Sequence, residues 1–251
     1  MANFLQQLAP GDGCKFGTWV KLGTLETLEM LAIAGFDFVV VDMEHAPHSL
    51  ESAYRLIVGA QGFGMRALVR LPDSNGGLVQ RILDSGADGV LVPRVRTIAE
   101  ARGVADGMRF SPAGSRGLGI TSRAGHWGLK PTPDYVAQGN RDVLRGVQLE
   151  DASALRDAAG ILGVEGINAA FVGPGDLALS SGKPATHPDN ATLIDGLLAT
   201  CRERNMPCGT AVSDAGAARE ARERGFSFVM VSNDCTLFGK AAQALVRGIR
   251  G

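Results

Sequence analysis

Four stretches decide the fold: AGFDFVVVD (34–42), SGADGVLVP (85–93), VEGINAAFVG (164–173) and ERGFSFVMVS (223–232). Each opens with a glycine where a preceding helix would need a left-handed C-terminal residue, and continues as a run apolar enough for a strand buried on both faces. They form a weak internal repeat whose period is one βα unit. Working outward, further β-rich runs occur at 16–20, 66–70, 144–149 and 207–212, which together with 38–42, 89–92, 169–172 and 228–231 make eight candidate strands. Between them, apolar residues spaced by three and four predict helices over 24–34, 50–61, 78–84, 99–108, 191–205 and 215–224. Eight such units without a composition break or a Pro/Ser linker predict one (β/α)₈ TIM barrel over residues 1–251 rather than a doubly wound open sheet.

Composition agrees with one large globular domain. Hydrophobic residues make up 45% and charged residues 20% of 251, which excludes disorder and collagen. Twenty-five Lys and Arg against 26 Asp and Glu leave a net charge of −1, so no basic field argues for nucleic acid or an anionic membrane. Glycine, 34 of 251, is about twice the usual ~7% and calls for a structural reason. Cys14, Cys201, Cys208 and Cys235 form no C-x-x-C pair and read as buried or half-buried free thiols in a reducing, cytoplasmic compartment. The N-terminus has no signal-peptide pattern, and no stretch approaches the ~18 apolar residues of a membrane span.

In a barrel of this type the strand C-termini form the active site. Reading those positions in order gives Trp19, then Asp42 with Glu44 and His45, Arg70, Pro93 with Arg94, Gln148 with Glu150, Gly173 to Asp176, Ser213 with Asp214, and Asn233 with Asp234. Glu150 and Asp176 are the best metal-ligand pair. They offer hard oxygen donors without cysteine or clustered histidine, which suits Mg²⁺ or Mn²⁺ ahead of Co²⁺ or Zn²⁺. From spacing alone Asp176 serves equally as a helix N-cap and Glu150 as a solvated loop charge. His45 can act as a general base if a carboxylate fixes its tautomer. Asp84 ends a helix, where an acid opposes the dipole and invites a partner; His45 is one candidate. Arg70 suits an oxyanion, and the turn Gly173-Pro174-Gly175-Asp176 exposes backbone N–H groups to an anion at a helix start. The irregular stretch 110–134 follows the fourth strand and is expected as a lid at the barrel mouth or an inter-subunit segment.

The segments FGTWVKLG (16–23), GFDFVVVDMEHAP (35–47), LVRLP (68–72), ILDSGADGVLVPRV (82–95), RFSPAGSRGLG (109–119), VQLED (147–151) and AFVGPGDLALSSG (170–182) occur in the order found in the HpcH/HpaI family, which this chain resembles over nearly its whole length. The resemblance implies a class II, divalent-metal-dependent aldolase that cleaves 4-hydroxy-2-oxo acids reversibly to pyruvate, or a related 2-oxo acid, and an aldehyde through a metal-stabilised enolate. It implies His45 as catalytic base, directly or through a water, with Asp84 raising its basicity, and Arg70 as stabiliser of the keto and enolate oxygen, oriented by Asp42. It further implies Glu150 and Asp176 as metal ligands, Gln148 as a substrate contact, and the backbone of Gly175 and Asp176 as the receiver of the pyruvate carboxylate. Trp19 and Glu44 complete the expected substrate-binding and supporting set. A hexamer is implied, a trimer of dimers exchanging the last helix (about 234–250), with sites that borrow residues from a neighbouring subunit. The stretches 177–182 and 231–235 and the residues Arg123, His126, Trp127 and Lys130 do not match the family pattern, so the aldehyde half is left open. Lys15 and Lys21 flank the first strand without matching a Schiff-base position, which disfavours a class I mechanism. The alternatives are an oxaloacetate decarboxylase or other enolate-forming lyase on the same site, and a non-catalytic carboxylate-binding barrel.

Overall fold

In a computed structural model that describes residues 3–8 and 13–251, the junction glycines Gly35, Gly86, Gly166 and Gly225 take φ of 91°, 83°, 105° and 97°. That left-handed backbone is closed to most side chains, so the repeat read from sequence marks four helix-to-strand corners. Eight parallel strands, β1 (Lys15–Val20), β2 (Phe38–Asp42), β3 (Arg66–Arg70), β4 (Gly89–Val92), β5 (Leu144–Leu149), β6 (Ala169–Val172), β7 (Cys208–Val212) and β8 (Phe228–Asn233), pair in sequence order and close on themselves as a (β/α)₈ barrel. The described helices are α1 (Leu25–Ile33), α2 (Leu50–Gly62), α3 (Gly76–Asp84), α4 (Ile98–Met108), α5 (Thr132–Arg141), α6 (Ala152–Arg156), α7 (Ala158–Leu162), α8 (Pro174–Ser181), α9 (Pro188–Glu203), α10 (Ala215–Arg224) and α11 (Asp234–Arg250). None is long and apolar enough to cross a membrane.

Alternation along the strands sorts side chains into two layers. Inside the barrel lie Trp19, Phe38, Val40, Leu68, Leu91, Leu144, Phe171, Phe228 and Met230, and fully buried Phe4 of the N-terminal segment packs its ring 5.0 Å from that of Phe38. Outside, Val39, Val41, Val69, Val90, Val147 and Leu149 meet the helices. The interior rings need bare backbone opposite them. A Cβ on Gly17 would stand 2.5 Å from the Phe38 ring, and one on Gly209 would stand 2.2 Å from that of Phe228.

The capping chemistry is local. Asn75 accepts hydrogen bonds from the N–H groups of Gly77 and Leu78, so α3 begins at Gly76, two residues before the apolar periodicity. Pro188 and the His187 cap likewise start α9 ahead of the predicted 191. Asp214 and Asn233, read as mouth residues, cap α10 and α11. Cys201 and Cys208 are buried free thiols and Cys14 is half-buried, whereas Cys235 is exposed, against expectation.

Residues 110–131 do not form a lid over their own mouth. After β4 the chain first runs down α4, which returns it to the N-terminal rim, so the excursion begins at the far end of the barrel. There it packs on the end of α3. The Arg116 guanidinium lies 4.3 Å from the Phe110 ring centroid and donates to Asp84 at 2.7 Å, and the Tyr135 hydroxyl donates to the same carboxylate at 3.1 Å. A short 3-10 turn (Arg123–Gly128) and α5 follow, with Arg123 donating to the Ser85 carbonyl at 3.0 Å. The acid at the end of α3 does have a partner, but it is Arg116 rather than His45 of the same chain.

Only 2% of the Arg116 side chain is exposed, so its removal strands Asp84 and Tyr135 in a poorly hydrated corner. Arg116→Ala is expected to destabilise the protein by about 3 kcal/mol, lowering the melting temperature by roughly 6–12 °C. A shift of less than about 2 °C would assign the pair the small value of a surface salt bridge.

Candidate active site

Asp42, the last residue of β2, is fully buried and accepts two hydrogen bonds from Arg70 at the end of β3, from Nε at 3.0 Å and Nη2 at 2.7 Å. The register places the two side by side, because Asp42 is the Cα partner of Arg70 in the β2–β3 ladder. Lys21 Nζ also donates to Asp42, and the N–H groups of Glu44 and His45 each reach its Oδ1 at 3.1 Å. Burial raises the Asp42 pKa, but the bonds from Arg70 and Lys21, the Arg70 charge and the His45 N–H outweigh it and hold the carboxyl well below the ordinary range. Arg70 is thereby fixed over the Trp19 ring, its guanidinium 4.1 Å from the centroid.

Glu44 is the second acid on this side. Its carboxylate stands 3.4 Å from Arg70 Nη1, 3.5 Å from Arg94 Nη2 and 3.6 Å from His45 Nε2. It ties an exposed histidine, with 61% of its side chain accessible, to the fixed arginine. Arg94 adopts left-handed backbone at φ 57° beyond β4, and its guanidinium donates to the Pro72 carbonyl at 2.7 Å. Arg94 stands at the rim where the strand ends predict it, whereas the contact of Lys21 with Asp42 was not foreseen; the available signal was a cation one residue past the end of β1, at the C-terminal rim. Asp234 contributes from the first residue of α11 by accepting the N–H groups of Lys21 and Leu22, which ties the ends of β1 and β8 together.

Across the mouth, Gln148 on β5 is 1% exposed and donates from Nε2 to Glu150 Oε1 at 2.7 Å, while its own Oε1 has no protein partner among the described residues. Glu150 is pushed up to about 7 by burial and by the charges of Asp176 and Glu44, with Arg70 and Arg94 acting the other way. A Cβ on Gly173 would sit 3.4 Å from both Asp176 Oδ2 and Glu150 Cγ, so the two acids converge on this glycine. Gly173 is the N-cap of α8, followed by Pro174, and no side chain caps the helix. Asp176 therefore lies inside the first turn and is not the cap that spacing allowed. Glu150 is likewise not a solvated loop charge.

Two converging carboxylates, one of them pushed upward by burial and by its neighbours' charge, form a site that a divalent cation would complete. Among the described residues no group of three His, Cys, Asp or Glu side chains is arranged around one metal position. A two-carboxylate donor set of this kind matches cations that keep water and substrate oxygens in their remaining positions, such as Mg²⁺ or Mn²⁺. Structural zinc sites use four protein ligands, often cysteine or histidine. The site thus brings together Trp19, Asp42, Glu44, His45, Arg70, Gln148, Glu150, Gly175 and Asp176. Asp84 alone among the expected residues lies elsewhere, at the N-terminal rim.

The HpcH/HpaI aldolase/citrate lyase family profile matches residues 15–241. The 5-keto-4-deoxy-D-glucarate aldolase of Salmonella arizonae is 34% identical over 233 residues, covering 92% of this chain and 90% of the relative. The 2-keto-3-deoxy-L-rhamnonate aldolase of Salmonella gallinarum is 33% identical over 241 residues, covering 95% and 89%. The crystal structure of an HpcH/HpaI aldolase/citrate lyase family protein from Burkholderia cenocepacia J2315 superposes with a TM-score of 0.90 at 32% identity, over 98% of each chain. On the family profile and the two aldolase relatives, the chain belongs to the HpcH/HpaI aldolase/citrate lyase family and is an enzyme, a carbon–carbon lyase.

Proposed function

We propose that the protein is a divalent-cation-dependent aldolase that cleaves 4-hydroxy-2-oxo acids to pyruvate, or a related 2-oxo acid, and an aldehyde. The observation that carries this reading is the opposition, across one mouth, of the Glu150–Asp176 carboxylate pair and an arginine locked by a buried aspartate. Glu150 and Asp176 would hold the cation, which when bound supplies Lewis acidity to the 2-oxo group. The uncapped start of α8 presents the N–H groups of Gly175 and Asp176 to the substrate carboxylate. Gln148 Oε1, buried without a protein partner, is available to a donor on the substrate. Arg70 places permanent positive charge where the 2-oxo oxygen becomes enolate as C3–C4 breaks. His45, exposed at the mouth and steadied by Glu44, takes the C4 hydroxyl proton as the aldehyde forms, and C3 of the enolate takes a proton from His45 or solvent to give pyruvate.

The role that the resemblance gives Asp84 requires a neighbouring copy, since in its own chain it faces Arg116 at the opposite rim. A homo-oligomer of the expected hexameric kind fits α11. This helix touches its own barrel through β1 and β8, and it leaves Leu237, Phe238, Leu245 and Ile249 exposed along its length.

Dialysis against EDTA is expected to abolish pyruvate release from a 4-hydroxy-2-oxo acid, and Mn²⁺ or Mg²⁺ to restore it. Full activity after chelation would contradict the assignment. Oxaloacetate assayed in parallel separates the readings, because faster pyruvate release from it would make decarboxylation the main reaction.

Asp42→Asn tests the arginine clamp. Loss of the charge that fixes Arg70 should lower kcat by roughly 10²-fold. The same variant tests the linkage. The folded Asp42 pKa lies below the unfolded value of about 3.9, so its stabilisation is fully present above that pH and is lost as pH falls further. Asp42→Asn should melt lower near neutral pH and lose less melting temperature than the parent between about pH 4 and pH 2. Parallel acid profiles for the two proteins would contradict the shift.

A further inference from the structure

Lys21 is a cation at the mouth to which the aldol chemistry above gives no task. It stands one residue past β1 with 23% of its side chain exposed, and its Nζ donates to Asp42 Oδ2. Its backbone is pinned from α11. Asp234, 4% exposed, accepts the Lys21 N–H from both oxygens at 3.0 Å and the Leu22 N–H at 2.8 Å. The Cys235 N–H adds a bond at 2.8 Å, so backbone groups at a helix start meet the Asp234 charge. No ion pair joins that carboxylate to Lys21 among the described residues, and the ammonium faces Asp42.

Asp42 both holds Arg70 and opposes it. A bidentate carboxylate fixes the guanidinium, yet the pair it makes is neutral, and a neutral pair attracts a developing oxyanion far less than a fixed cation does. Lys21 alters that balance. Asp42 Oδ1 takes Arg70 Nε and the N–H groups of Glu44 and His45, whereas Oδ2 takes Arg70 Nη2 and Lys21 Nζ. Glu44 stands 3.4 Å from Arg70 and 3.5 Å from Arg94, so three cations share two carboxylates on this side of the mouth. Without Lys21 those charges would cancel. Any donor could satisfy Oδ2, but only a cation leaves the group positive.

We propose that Lys21 is a positioning residue for Arg70 that also keeps the Asp42–Arg70 pair net positive, so that the clamped guanidinium still attracts the enolate oxygen. This role rests on the aldol reading above, in which negative charge develops beside Arg70. The 2-oxo oxygen is neutral until a bond to C3 breaks, and the substrate carboxylate is met at the start of α8. Lys21 therefore acts on the barrier and not on ground-state binding, and it neither moves a proton nor bonds to the substrate.

Exchange of the pyruvate methyl hydrogens in D₂O with Mg²⁺, followed by proton NMR, tests the role in three variants. Lys21→Gln keeps a donor for Oδ2 and drops the charge, Lys21→Met drops both, and Lys21→Arg keeps both. The kcat for exchange is expected to fall at least roughly tenfold in Lys21→Gln and further in Lys21→Met, and to stay within about threefold of the parent in Lys21→Arg. KM for pyruvate should stay within about twofold throughout, which a general disturbance of the mouth would not allow. A parent-like kcat in Lys21→Gln would overturn the proposal, as would a rise in KM that accounts for the loss, or equal damage in Lys21→Arg and Lys21→Gln. Borohydride trapping of pyruvate on Lys21 would overturn it too, by making this lysine a nucleophile. Parent exchange that survives EDTA would contradict the cation reading alone, because the ratios among the variants carry the role of Lys21.

Discussion

The bidentate pair between Asp42 and Arg70 is the constraint on which the mouth depends. Asp42 is fully buried, and an isolated carboxylate there would be untenable; five hydrogen bonds, two from Arg70, one from Lys21 and two from backbone, make it stable and ionised. The same bonds remove the freedom of Arg70, which also rests on the Trp19 ring. A guanidinium fixed in this way needs no reorganisation as negative charge develops beside it, which is the condition for electrostatic stabilisation of an enolate. Glu44 extends the clamp to His45 and Arg94, so one buried charge organises the β2, β3 and β4 side of the mouth.

The opposite side works by tension. Glu150 and Asp176 meet beside Gly173, and burial together with the charges of Asp176 and Glu44 pushes Glu150 up to about 7. Net positive charge is fixed by Asp42 on one side, and net negative charge waits to be neutralised on the other. The proposed chemistry uses that asymmetry, with cation and substrate carboxylate bound at the acids and at the start of α8, and the developing oxyanion turned toward Arg70.

Much of this was legible in the sequence because strands in a closed barrel are short, buried on both faces and begin at a glycine corner. Six of the eight predicted strands share the observed start, and β8 differs only in running two residues longer. The mouth residues followed from that register. What sequence did not reveal was direction. The excursion at 110–131 follows β4 in the chain, but α4 intervenes and carries it to the far rim, which also moved Asp84 from His45 to Arg116. Capping residues such as Asp214 and Asn233 imitate catalytic ones, since both stand where strands end. Arg145, 6% exposed, resembles any charged strand residue until α4 is known to pack on β5, because burial of an outward-facing position depends on helix packing. The short helices α6 to α8 span too few turns for their periodicity to register, and α5, mostly polar outside Tyr135 and Val136, carries little apolar pattern.

The central claim is that this mouth makes an enolate of a 2-oxo acid with the help of a divalent cation and Arg70. Exchange of the pyruvate methyl hydrogens in D₂O, followed by proton NMR without any aldehyde, isolates that step. The account predicts enzyme-dependent exchange with Mg²⁺, none after EDTA, and a rate lower by roughly 10²-fold in Arg70→Ala. Exchange undiminished by EDTA, together with borohydride trapping of pyruvate on a lysine, would contradict it.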